Sequence, residues 1–197
     1  MKGVSRLAVS GESVEPIHAY GFFSVSRSLE FNQIVVFEYI DYEGYYAGLS
    51  KDMDRLSREL SKLAFNMQRY LDDEEVVING ERVKPRVIGV DLGFRGDPEE
   101  PYLVFFIRFK GKPREGENYY ENVYDAEVSE YPYEVYWVFP PGARITAVEC
   151  SGVSEIIGNN IVVIRVEEGE RIAGYEKIVF TLGRSGARRQ NSSAQFL

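Results

Sequence analysis

The sequence predicts an α+β domain, mainly antiparallel β, in which a sandwich-like sheet system carries one long amphipathic helix packed on a sheet. Three observations carry that expectation. Short apolar runs recur between Gly, Pro, Asn and Asp turns along most of the chain. Fourteen Tyr and twelve Phe add aromatic weight, which favours strands. One long segment, Leu49 to Tyr70, repeats its apolar residues at helical spacing.

The elements follow in order. Before Ser28 two apolar pieces, Leu7–Val9 and Tyr20–Val25, each fit a strand. The first clear strand is Leu29 to Tyr42. Phe31, Gln33, Val35, Phe37 and Tyr39 share one face, and Ile34, Val36 and Ile40 share the other. Both faces are largely apolar, which predicts a central strand covered on two sides. A glycine turn, Glu43 to Gly48, leads to Ser50 as N-cap with Asp52 in the first turn. Leu49, Met53, Leu56, Leu60, Leu63, Met67 and Tyr70 then step by four and three along roughly six helical turns. Ala64 and Phe65 broaden the stripe, which favours packing on the chain's own sheet over a coiled-coil seam with a second chain.

The acids Asp72 to Glu75 end the helix. Asn79-Gly80 between apolar runs signals a two-residue hairpin, because a type I′ turn needs positive φ at both positions. Strands are expected at Arg86–Phe94, Tyr102–Gly111, Tyr133–Phe139, Arg144–Cys150, Asn160–Glu168 and Tyr175–Leu182. Residues 1–183 are read as a single compact domain, with a sub-boundary near 96–101 as the alternative. Residues 184–197, with Arg184, Arg188 and Arg189, read as a disordered basic tail.

Composition narrows the chemistry. The net charge of −8 weighs against a nucleic-acid partner, which asks for a basic face. Cys150 is the lone cysteine, so no intramolecular disulfide can form, and a reducing, cytoplasmic location is expected. His18 is the lone histidine, which nearly excludes a Cys/His zinc site and means that a Ser-His or Cys-His pair would need His18 itself. No apolar run reaches the length of a membrane span. No phosphate-binding glycine loop and no G-x-S-x-G elbow is present. The scarcity of Cys and His in a charge-rich chain suits a thermophile.

The stretch from Glu115 to Glu134 holds seven acids and no base, interleaved with Tyr119, Tyr120, Tyr124, Tyr131 and Tyr133. Tyr119, Tyr120 and Tyr124 with Glu121, Asp125 and Glu127 read as a recognition surface for a basic or aromatic-accepting partner. The competing reading is a charged edge strand, which Pro132 supports. Trp137 reads as core. Carboxylates cluster at Asp41 and Glu43 beside the glycine turn, at Asp72 to Glu75, and at Asp97, Glu99 and Glu100, none with diagnostic metal spacing; Asp41 and Glu43 are the candidate divalent-metal pair, and no cofactor is otherwise expected. The function expected is a non-catalytic binding or assembly domain. Its partner is another protein or a second copy, met through the Leu49–Tyr70 stripe or the Tyr119–Tyr136 stretch. The alternative is an enzyme using carboxylates and tyrosines, with or without a divalent metal, in a cleft between helix and sheet.

Overall fold

The computed structural model describes residues 14–183. The Leu7–Val9 piece and the 184–197 tail lie outside the described residues. In chain order the elements are β1 (Val14–Val25), β2 (Glu30–Asp41), α1 (Tyr45–Leu49), α2 (Met53–Asp73), β3 (Glu75–Ile78), β4 (Glu81–Val83), β5 (Arg86–Phe94) and β6 (Pro101–Lys110). They continue with β7 (Glu117–Val123), β8 (Glu127–Val128), β9 (Tyr133–Val138), β10 (Arg144–Glu149), β11 (Val153–Ile157), β12 (Ile161–Val166), β13 (Arg171–Ile172) and β14 (Tyr175–Thr181). A seven-stranded sheet runs β11-β12-β9-β1-β2-β6-β5, a five-stranded sheet runs β10-β14-β7-β3-β4, and β13 pairs with β8. The β1–β9 ladder is parallel, while the others are antiparallel. The α+β class with mainly antiparallel sheets and one long helix on a sheet is therefore what the chain adopts.

Alternation along the strands builds the core. Phe23, Phe31, Phe37, Phe105, Ile107 and Trp137 point to the inner face of the large sheet and are buried. Two layers cover that face. Tyr120 of the small sheet reaches across to Phe23, Phe31, Phe109 and Trp137. On the β5 side, Leu63, Met67 and Leu71 of α2 fill the remaining inner surface. The helix is also tied to the sheet edge by polar contacts: Gln68 Nε2 donates to Pro85 O at 3.1 Å, and Gln68 Oε1 accepts the Val87 N–H at 3.0 Å. This masks part of an edge strand that would otherwise present free backbone groups.

The structure shifts several local expectations. Asp52, not Ser50, caps the long helix, accepting the Arg55 N–H at 3.1 Å. Ser50 instead closes the short α1, to which Leu49 belongs. Phe65 does not widen the buried stripe and is exposed, because it stands roughly 200° around the helix from Leu63. Asn79 and Gly80 both take positive φ and join β3 to β4 as the hairpin turn. Residues 95–100 form the turn between β5 and β6, neighbours in one sheet. The larger correction concerns β2. It is central, lying between β1 and β6, but among the described residues it is covered on its inner face only, and Ile34 on the other side is exposed.

Candidate functional site

Inside the molecule, one row of the small sheet breaks the apolar pattern. Register places Val76, Asn122 and Glu176 side by side on β3, β7 and β14. Glu176 shares its inward phase with Ile178 and Phe180, so the acid enters the core with them. The residue is half-buried, yet its Oε1 is sealed from solvent and has no hydrogen-bond partner among the described residues. Burial pushes the carboxyl up to about 7, and the Glu74 carboxylate adds to the shift. Glu74 follows the last turn of α2, and its Oε2 accepts from Asn122 Nδ2 at 2.9 Å. Tyr120, Tyr124, Tyr133 and Cys150 also face Glu176, and burial raises each of them. A cavity of about 40 Å³ adjoins the centre, between the two sheets and the end of α2.

The outer face of the large sheet has a different character. Register aligns Phe106, Ile34, Phe22 and Tyr136 on four neighbouring strands, β6, β2, β1 and β9. Phe22 stacks on Tyr136 with ring centroids 5.1 Å apart and planes 9° from parallel. Phe22 is 44% exposed, Ile34 37% and Phe106 37%. Val138 on the next row is exposed as well. The charges around this row are matched within the chain. Arg165 reaches Glu134 at 3.1 Å and Glu155 at 3.5 Å, Arg95 pairs with Glu38, and Arg108 donates to Asn32 at 3.1 Å.

The residues singled out in the sequence are divided by strand alternation. Tyr120 is buried in the core, and Tyr124 is partly buried facing Glu176. Tyr119 and Glu121 lie on the opposite side of β7, where Lys177 meets Glu121 at 2.9 Å and sits over the Tyr119 ring at 4.7 Å. Asp125 is exposed in the loop after β7, and Glu127 begins β8, partly buried. In this stretch β7 and β9 are each flanked on both sides, while the short β8, paired only with β13, is an edge. Pro132 stands immediately before β9, a strand start. From this stretch, Tyr136 alone joins the outer aromatic row. Asp41 is buried, and its two oxygens accept the N–H groups of Tyr45 at 3.0 Å and Tyr46 at 2.8 Å. Glu43 is exposed in the adjoining turn. No group of three or more His, Cys, Asp or Glu suited to a metal occurs among the described residues.

Glu176 and the outer row escaped sequence reasoning, although a signal for each is present. In Tyr175–Leu182 the acid is in phase with Ile178 and Phe180, which marks it as inward-facing. In Glu30–Asp41 the second apolar set marks an outer face that needs a cover.

No protein-family model matches the chain, and no curated protein matches it in sequence. Among solved structures, one titled "putative protease" from Parabacteroides distasonis is similar at 7% identity and a TM-score of 0.30. The match covers 86% of this chain and 40% of that one, so this chain spans less than half of its length. A likeness at that level carries no argument about activity. No helix among the described residues is long and apolar enough to cross a membrane.

Proposed function

We propose that the chain is a non-catalytic assembly domain whose outer sheet face meets the same face of a second copy. The carrying observation is the row Phe106, Ile34, Phe22 and Tyr136, aligned by register, with the first three exposed and Tyr136 partly buried. Full burial of a side chain of this size contributes about 1.5–3 kcal/mol, and these, already more than half buried, would gain part of that each from a cover. Seven strands span about 30 Å at ordinary spacing, wide enough for sheet-on-sheet packing. Electrostatics favour a copy as the occupant. The chain carries −8 overall, yet the charges bordering the row are paired, so two such faces meet without stacking like charges. A two-fold contact buries both rows at once.

The enzymatic alternative draws its support from Glu74 and Glu176, two carboxylates beside one cavity. At about 40 Å³ that space suits water rather than a substrate.

The test is sedimentation equilibrium on the full chain and on Phe22→Lys combined with Phe106→Lys. Both positions are solvent-facing, so the fold should persist, as circular dichroism will verify. A dimeric parent and a monomeric variant support the reading. A monomeric parent overturns it. In that event, dye binding that appears only when residues 1–13 or 184–197 are removed identifies a terminal segment as the cover.

A further inference from the structure

The two larger sheets end in four outer strands, β5 and β11 on one, β10 and β4 on the other. An outer strand offers a free row of backbone donors and acceptors, and proteins blunt such rows with bulges, charge, shortness or a cover. Three of the four are blunted. In β5 the register shifts between Val87 and Gly89, and Gln68 of α2 accepts the Val87 N–H at 3.0 Å. In β10 it shifts between Ile145 and Ala147, and the Ile145 N–H already donates to Asn159 O at 2.8 Å. Strand β4 is three residues long, and two of them, Glu81 and Arg82, are charged.

Strand β11 has neither bulge nor cover. Its five residues, Val153–Ile157, pair with β12 without a register shift, and all five are exposed. Val153, Ile156 and Ile157 are apolar, and the strand holds no Pro, Lys or Arg. Its one charge, Glu155, meets Arg165 of β12 at 3.5 Å. No strand lies beyond it among the described residues. Two observations make a second copy the fitting occupant. Register carries an apolar row of the outer face, Val138, Ile161 and Ile157, out to this edge, so a copy joined there continues the same face. A two-fold axis through Ile156 sets that residue against its own copy and Glu155 against Ile157 of the second copy, which keeps the two carboxylates from meeting.

We propose that β11 pairs antiparallel with β11 of a second copy about a two-fold axis at Ile156, joining two large sheets edge to edge. The inference rests on the face-to-face contact proposed above, because a five-residue strand contact is marginal alone. Two face-paired copies carry two such edges. When two pairs meet, the first edge contact makes the second intramolecular, and the two hold together. The assembly is then a tetramer with two kinds of two-fold interface.

Sedimentation equilibrium over a range of concentrations tests this on the full chain, with Ile156→Lys beside the parent. Ile156 is exposed, so the fold should persist. The parent is expected to pass from dimer to tetramer as concentration rises, and Ile156→Lys to stop at the dimer. A second measurement reads the register. In a Cys150→Ser chain, Ile156→Cys places two thiols across the axis, where opposed Cα atoms lie about 5.5 Å apart, within disulfide range. Mild oxidation should join the copies, whereas Arg82→Cys on β4 should stay unlinked. A parent that never passes the dimer, a tetramer indifferent to Ile156→Lys, or no disulfide at position 156 overturns the edge contact and leaves the face contact standing. A monomeric parent overturns both.

Discussion

Asp41 accepts the main-chain N–H of Tyr46 at 2.8 Å, from a side chain with no exposed surface. With the Tyr45 N–H at 3.0 Å on its other oxygen, this carboxylate anchors the start of α1 to the end of β2. Replacing Asp41 with Ala leaves two N–H groups without their acceptor. A loss of about 3 kcal/mol is expected, which is roughly 10 °C in unfolding midpoint for a chain of this size. Asp41→Asn, keeping one acceptor, should lose less. Thermal unfolding with and without millimolar Mg²⁺ or Ca²⁺ separates this role from metal binding. The anchoring role predicts no midpoint shift with either ion, whereas a shift in the parent that vanishes in Asp41→Ala would restore the metal reading.

On α2 the buried line runs through Leu63, Met67 and Leu71, while Met53 and Phe65 face solvent. Leu63→Ala should therefore cost about 2–5 kcal/mol through the cavity it leaves. Phe65→Ser and Met53→Lys should stay within about 0.5 kcal/mol of the parent. Urea denaturation of the three variants checks this. A large loss at Phe65 would mean that the exposed side of the helix is covered in solution.

The elements were more legible in the sequence than their surroundings. Helix α2 announced itself because its stripe repeats over many turns, and Asn79-Gly80 because the turn geometry admits few residue types. The Tyr119–Tyr136 stretch looks like one surface in sequence because Asn118 and Asn122 occupy inward positions on β7, masking the alternation that sends Tyr120 into the core. Each asparagine has a contact distant in sequence, Asn118 with Asn79 and Asn122 with Glu74, and local pattern cannot show these. The outer face of β2 was misjudged for a related reason. An apolar residue facing solvent and one facing a second layer look alike in sequence, and only the placement of the small sheet and α2 on the same side tells them apart.

Asn79 holds the hairpin and its neighbour strand together. Its Oδ1 accepts the Tyr119 N–H at 2.9 Å, and its Nδ2 donates to Lys112 O and Asn118 Oδ1, both at 2.8 Å. The residue also takes φ of 54°, a conformation asparagine tolerates better than most. Asn79→Ala should lose about 3 kcal/mol from the missing bonds and the strained backbone together. Asn79→Asp keeps the acceptor but turns a carboxylate oxygen toward Lys112 O and Asn118 Oδ1, so it should lose at least as much. Chemical denaturation measures both, and a clearly smaller loss in Asn79→Asp would show that the two Nδ2 bonds contribute little.

Glu176 gives the chain a pH dependence whose sign follows from its burial. Its folded value is raised from 4.5 to about 7, so between those limits the folded state holds a proton that the unfolded state has released. Stability contributed by this group is fully present below pH 4.5, declines as pH rises, and is lost above about 7. The full span corresponds to about 3 kcal/mol. Glu176→Gln keeps the shape and cannot ionise. It should equal the parent near pH 4.5 and exceed its stability at pH 8 by about that amount. Denaturant unfolding at several pH values, read through the fluorescence of Trp137, the chain's one tryptophan, reports the difference. Parallel pH profiles for the parent and Glu176→Gln would mean that the carboxyl titrates in the fold as it does in the unfolded chain, and that another group carries the slope.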